Sequence, residues 1–109
     1  MQRYGQVIQL HEDAVARYRE LHASVWPGVL AMLSACNVTN YTIFLREPEN
    51  LLFAYFEYVG EDFTADMARM AADPTTQQWW EVAMPLQEPL ATRDEGEWWA
   101  PTQEVFHLD

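Results

Sequence analysis

His22 stands four residues after Tyr18, so on a helix the imidazole and the phenol share one face. Such a pair can pass a proton near neutral pH, and histidine is the side chain whose ordinary pKa suits that work. The same spacing also fits a histidine that packs on a sheet and bonds a backbone group. Five tryptophans, Trp26, Trp79-Trp80 and Trp98-Trp99, offer flat rings suited either to core packing or to the apolar faces of sugars and other small rings. Adjacent helical residues point about 100° apart, so one of Trp79 and Trp80 can be core while the other reaches a pocket. Tyr41 opens an alternating stretch and shares a face with Ile43 and Leu45. Its hydroxyl needs a partner, which a ligand, His22 or a backbone group could supply. These residues describe a small pocket with one acid–base histidine and aromatic walls, and they do not name its ligand.

Other chemistries are excluded by what the chain lacks. All six bases are arginine (Arg3, Arg17, Arg19, Arg46, Arg69 and Arg93), which removes lysine Schiff bases and P-loops. Cys36 is the only cysteine, so no intrachain disulfide and no multi-cysteine zinc site can form. A lone cysteine fits a reducing, cytoplasmic setting, and Cys36 reads as a small buried hydrophobe. His11, His22 and His107 are scattered and the carboxylates show no EF-hand pattern, so metal binding is a poor fit. Seventeen acids against six bases give a net charge of -11, which argues against nucleic acid and anionic membranes as partners. The first residues lack a secretory pattern, and the apolar stretches Val29 to Leu33 and Leu51 to Phe56 are far short of a bilayer span.

The elements that must position these residues fit one domain over 1–109. Arg3 to Leu10 reads as a first strand. A helix opened by His11-Glu12-Asp13 follows, with Ala14, Tyr18, Leu21, His22 and Val25 along one face, and Pro27 restarts it up to Asn37. Asn40 to Arg46 and Leu51 to Tyr58 form a hairpin across Glu47-Pro48-Glu49-Asn50. Asp62 to Ala72 is helical through Phe63, Met67 and Met70, and Thr75 to Leu86 adds a further turn or two after Asp73-Pro74. Glu88 to Pro101 reads as a loop whose Trp98-Trp99 serve loop or dimer packing, and Gln103 to Leu108 reads as a final strand. This order predicts an α+β, ferredoxin-like βαββαβ antiparallel sheet with helices on one face. Tyr55, Phe56 and Tyr58 are costly to expose on the other face, so a homodimer packed sheet on sheet is predicted.

Four blocks together carry a specific resemblance. Tyr18 to Pro27 is similar to the Y-x-x-x-H-x-x-x-W-P signature of the L-rhamnose mutarotase family. Asn40 to Leu45 with Leu51 to Ala54 resembles its central hairpin, and Trp79-Trp80 and Glu104 to Leu108 resemble its later motifs. The chain differs in carrying Leu21 where a basic residue is usual, Gly28 where Glu is common, and Cys36-Asn37 where a glycine is typical. The resemblance implies a dimeric α/β-barrel fold without metal or cofactor, and interconversion of the α and β anomers of a six-carbon deoxy sugar, L-rhamnose or a close analogue. It implies His22 as proton donor, with Tyr18, Tyr41, Trp79 and Trp80 contacting the sugar. A non-catalytic sugar-binding or regulatory protein, or a cofactor-independent monooxygenase, are the alternatives on the same fold.

Overall fold

Apolar residues alternate along the strands and recur every three to four positions along the helices, and the two patterns meet in one layered core. The computed structural model describes all residues, Met1 to Asp109. In chain order it has β1 (Gln2–Leu10), α1 (Val15–Ala23), α2 (Pro27–Ala35), β2 (Val38–Arg46), β3 (Leu51–Tyr58), α3 (Phe63–Ala71), α4 (Pro74–Ala83), β4 (Gln87–Glu88) and β5 (Ala100–Pro101). Short 3-10 turns at Glu12–Ala14 and Met84–Leu86 precede α1 and β4. The helix starts follow local chemistry. Asp62 caps α3 by accepting from the Ala65 amide at 3.1 Å, and Asp73 caps α4 by accepting from the Thr76 amide at 2.9 Å. Pro27 and Pro74 occupy first-turn positions where no amide hydrogen is needed. Gly28 lets α2 approach α4, since a Cβ there would stand 2.9 Å from the Thr75 methyl carbon.

The sheet is antiparallel in the order β2-β3-β1-β4, with β5 also paired to β1. Ile8, Leu10, Leu52, Ala54, Phe56 and Tyr58 are buried on the face that meets the helices. There Ile8, Leu10 and Leu52 pack with Ala14 and Tyr18, while Val38, Phe56 and Cys36 pack with Met70. A bulge sets which β2 residues join that face. Thr39 pairs with Glu57 and Thr42 with Tyr55, so Asn40 and Tyr41 both stand opposite Phe56. Asn40 absorbs the extra residue at φ 51°, and its side chain donates to Glu57 at 2.6 Å. The shift puts Val38 and, beyond it, Tyr41, Ile43 and Leu45 on one face, which strict alternation from Val38 forbids.

Three sequence expectations need correction. Gln103 to Leu108 forms no strand. It lies beyond β5, held by Thr102 on the Gly5 carbonyl and by an Arg3–Glu104 ion pair at 2.9 Å, with Val105, Phe106 and Leu108 exposed. The edge of β1 is taken instead by two short strands inside the expected 88–101 loop region and at its border, β4 and β5. The third concerns the open face. Phe56 and Tyr58 are core residues under the helices, and the aromatic rings left exposed on the open face are Phe44 (61%) and Phe53 (43%), beside half-buried Tyr55. Asn37, near where the resembled family typically carries a glycine, takes φ 66°, and its side chain donates to Asp66 at 2.9 Å.

Candidate active site

α1 presents Tyr18 and His22 one turn apart, and their rings stack with centroids 4.1 Å apart. His22 Nδ1 lies 3.0 Å from the Tyr18 carbonyl oxygen. A carbonyl only accepts, so Nδ1 carries the hydrogen and Nε2 keeps the lone pair. Burial pushes the His22 pKa below its ordinary 6.5, partly opposed by that backbone bond, so the ring is neutral at pH 7. Trp79 of α4 meets the imidazole edge-on at 5.3 Å and is itself braced by Trp26 at 5.2 Å. The His22 ring is therefore held by its own turn of helix, by the stacked Tyr18 ring and by the Trp79 indole, which Trp26 braces from behind.

Two phenols complete the acid–base set. Burial pushes the Tyr18 hydroxyl up to about 12, against the opposing effect of a hydrogen bond from Gln87, with the Tyr41 phenol adding a smaller push upward. Burial likewise raises Tyr41, opposed by Gln6. The Tyr41 ring keeps one flank open, 39% exposed, while its hydroxyl end is the part desolvated. Both phenols thus stay protonated across the physiological range and act as hydrogen donors.

All five residues singled out in the sequence, Tyr18, His22, Tyr41, Trp79 and Trp80, line a single cavity of about 320 Å³. Trp79 is buried and Trp80 is 36% exposed, and both reach it. Sequence reasoning missed Ile43, Ala83, Met84, Gln87, Trp98 and Trp99, which close the remaining walls. Trp98-Trp99 are therefore pocket walls, in place of the loop or dimer packing expected from sequence. Trp98 Nε1 donates to Gln87 Oε1 at 2.8 Å, and Gln87 Nε2 donates to the Tyr18 hydroxyl at 3.3 Å. No lining residue carries a formal charge at neutral pH, so the cavity suits an uncharged molecule with apolar faces and hydroxyl groups. No group of three or more His, Cys, Asp or Glu side chains stands close enough to hold a metal ion, and no helix is long and apolar enough to cross a membrane.

A family model described as L-rhamnose mutarotase matches residues 3–108. The L-rhamnose mutarotase of Lactiplantibacillus plantarum is 37% identical over 109 residues, covering 100% of both chains. That of Bacillus subtilis is 31% identical, again over 100% of both. The crystal structure of an L-rhamnose mutarotase from Formosa agariphila shares the fold, with a TM-score of 0.80 over 100% of both chains at 24% identity.

Proposed function

The chain belongs to the L-rhamnose mutarotase family and is a sugar isomerase, and we propose that its cavity opens and recloses the ring of L-rhamnose with His22 as the acid–base group. The observation that carries this reading is the tautomer of His22. Its Nδ1 hydrogen is committed to the Tyr18 carbonyl, so a neutral ring offers Nε2 as a base beside two protonated phenols. In ring opening Nε2 takes the anomeric hydroxyl proton as the bond from C1 to the ring oxygen breaks. A phenol hydrogen goes to the ring oxygen. The aldehyde turns about C1–C2, the ring hydroxyl attacks its other face as the phenolate takes back that hydroxyl's proton, and the imidazolium returns its proton to the new anomeric oxygen. In that reclosing half His22 is the proton donor. Each proton taken is given back, so the cycle consumes no cofactor. General acid–base catalysis contributes roughly 10²–10⁴-fold, which suffices for a reaction that water alone already supports.

Tyr18, Tyr41, Trp79 and Trp80 are the proposed sugar contacts, with the indoles against the C–H faces and the phenols on the hydroxyls. The strand order β2-β3-β1-β4 supports a ferredoxin-like arrangement, and the exposed Phe44 and Phe53 support a homodimer closed over the open face into a dimeric α/β-barrel. We place it in the cytoplasm, without nucleic-acid or membrane partners, on its acid excess and its buried free Cys36. Proton NMR saturation transfer between the L-rhamnose anomers tests the function. Exchange above the spontaneous rate that disappears in His22→Ala supports it; sugar binding without added exchange would leave a binding protein and reject it.

A further inference from the structure

We infer that Gln87, fixed by Trp98, is a positioning residue that makes the Tyr18 hydroxyl the proton donor to the ring oxygen; this rests on the mutarotase reading above. The polarity of the hydrogen bonds carries the inference. An indole N–H is a donor and cannot accept, so the Gln87 atom 2.8 Å from Trp98 Nε1 is the carbonyl oxygen. The other end of that amide is then the NH₂ group, 3.3 Å from the Tyr18 hydroxyl oxygen. An amide nitrogen only donates, so the Tyr18 oxygen accepts and its own hydrogen must point elsewhere. Tyr18 lines the cavity, and its backbone carbonyl, not its hydroxyl, is what holds His22. The free hydrogen is thereby directed to the ligand.

Gln87 is 6% exposed, so water does not compete to reverse the amide. Its place is fixed from both sides. β4 pairs it with Leu10, and β5 ties the returning chain to Gln6 and Val7, which brings Trp98 back against it. Gln6 approaches the Tyr41 hydroxyl, but no donor-only partner fixes its amide, so Tyr41 lacks the same imposed direction. During ring opening the Tyr18 O–H proton passes to the ring oxygen, and the resulting phenolate keeps the Gln87 N–H as its donor. On reclosure the ring hydroxyl returns that proton to Tyr18. One amide thus aims the acid and stabilises its conjugate base.

Gln87→Glu tests this, because a carboxylate accepts from both Trp98 and Tyr18 and turns the phenol hydrogen away from the cavity. With saturation-transfer kinetics at about pH 8, kcat should fall at least about tenfold, within the roughly 10²–10⁴ that a positioned acid supplies, while KM for L-rhamnose stays within about twofold. The loss should shrink as pH is lowered, because a protonated carboxyl donates again. On a Tyr18→Phe background the same substitution should cost nothing further. Trp98→Phe, which keeps an aromatic side chain in the wall and removes the indole N–H, should lower kcat by about threefold to tenfold, the net worth of one neutral hydrogen bond. Should Gln87→Glu fail to fold by circular dichroism, Trp98→Phe decides, and an unchanged kcat overturns the inference. It is also overturned if Gln87→Glu matches wild type at pH 8, or costs as much with Phe at position 18. Wild-type protein that exchanges no anomers would overturn the underlying reading and this one together; an active wild type insensitive to Gln87→Glu overturns this one alone.

Discussion

The β2 bulge makes a prediction that can be worked from geometry. Asn40 sits at φ 51°, in the left-handed region that costs an ordinary L-residue about 1–2 kcal/mol and costs glycine nothing. Asn40→Val and Asn40→Gly both remove the side-chain bond to Glu57. Only Val adds the steric strain, whereas Gly gives back about 0.5–1 kcal/mol through the freedom of the unfolded chain. A β-branched residue takes the upper end of that strain, so the Val variant should be less stable than the Gly variant by about 1–1.5 kcal/mol. For a domain of this size each kcal/mol moves Tm by about 4–8 °C, so calorimetry should separate the two melts by several degrees. Straightening the bulge also moves Tyr41, the next residue, out of its place beside the cavity. KM for L-rhamnose should rise in the Val variant more than in the Gly variant, while His22, on a different element, keeps kcat closer to wild type. Equal melts, or a Val variant more stable than the Gly variant, would refute the claim that the backbone angle at Asn40 shapes the site.

Four further outcomes are expected. The burial-lowered pKa of His22 means that neutral, active imidazole persists below pH 6.5, so the acid limb of kcat/KM should fall with a midpoint under 6.5; a midpoint at or above it sinks the assignment. The same sign applies to folding: the stability tied to His22 is complete above about pH 6.5 and is lost as pH falls from there toward the lowered value, because the unfolded chain binds the proton first. Phe44→Asp, on the face of the proposed homodimer, should halve the mass that light scattering gives for the wild type, and an unchanged mass of two chains would place the interface elsewhere. Gly60→Ala would put a Cβ 2.4 Å from the Tyr58 hydroxyl, which Asp66 and the Asp62 amide hold in place, so Tm should drop by about 4 °C or more without loss of kcat.

Much of the fold was legible because it follows local patterns. The Leu51 to Tyr58 strand, the restart at Pro27 and the Asp73-Pro74 break all have short-range causes, in alternation, proline geometry and side-chain caps. The Tyr18–His22 pair was legible for the same reason, since helical spacing alone puts the two rings in register. The faces of β3 were harder. An aromatic-rich strand announces burial without saying on which side, and the direction was set by Met70 and Phe63 of α3 packing onto Phe56 and its neighbours. The bulge was invisible because an alternation read from Asn40 onward is self-consistent whether or not Val38 shares the phase.

The missing half of the site has a different cause. Gln87 lies 69 residues from Tyr18, and its contact with it depends on a strand of only two residues finding the edge of β1. Trp98 reaches Gln87 only because a second two-residue strand returns the chain to that same edge. Strands so short have no alternation to read, and the intervening prolines, glycine and acids carry the composition of a loop. The segment read as a strand, around Val105 to Leu108, lies past the positions of β1 that β4 and β5 take, and it stays exposed. Strand pattern therefore says that a segment could pair, and not which segment takes an edge. Here β4 and β5 hold the exposed edge of β1, so the pocket is completed by the least strand-like stretch of the sequence. For that reason the two residues that orient the proposed acid sit in a region that composition alone assigns to no role.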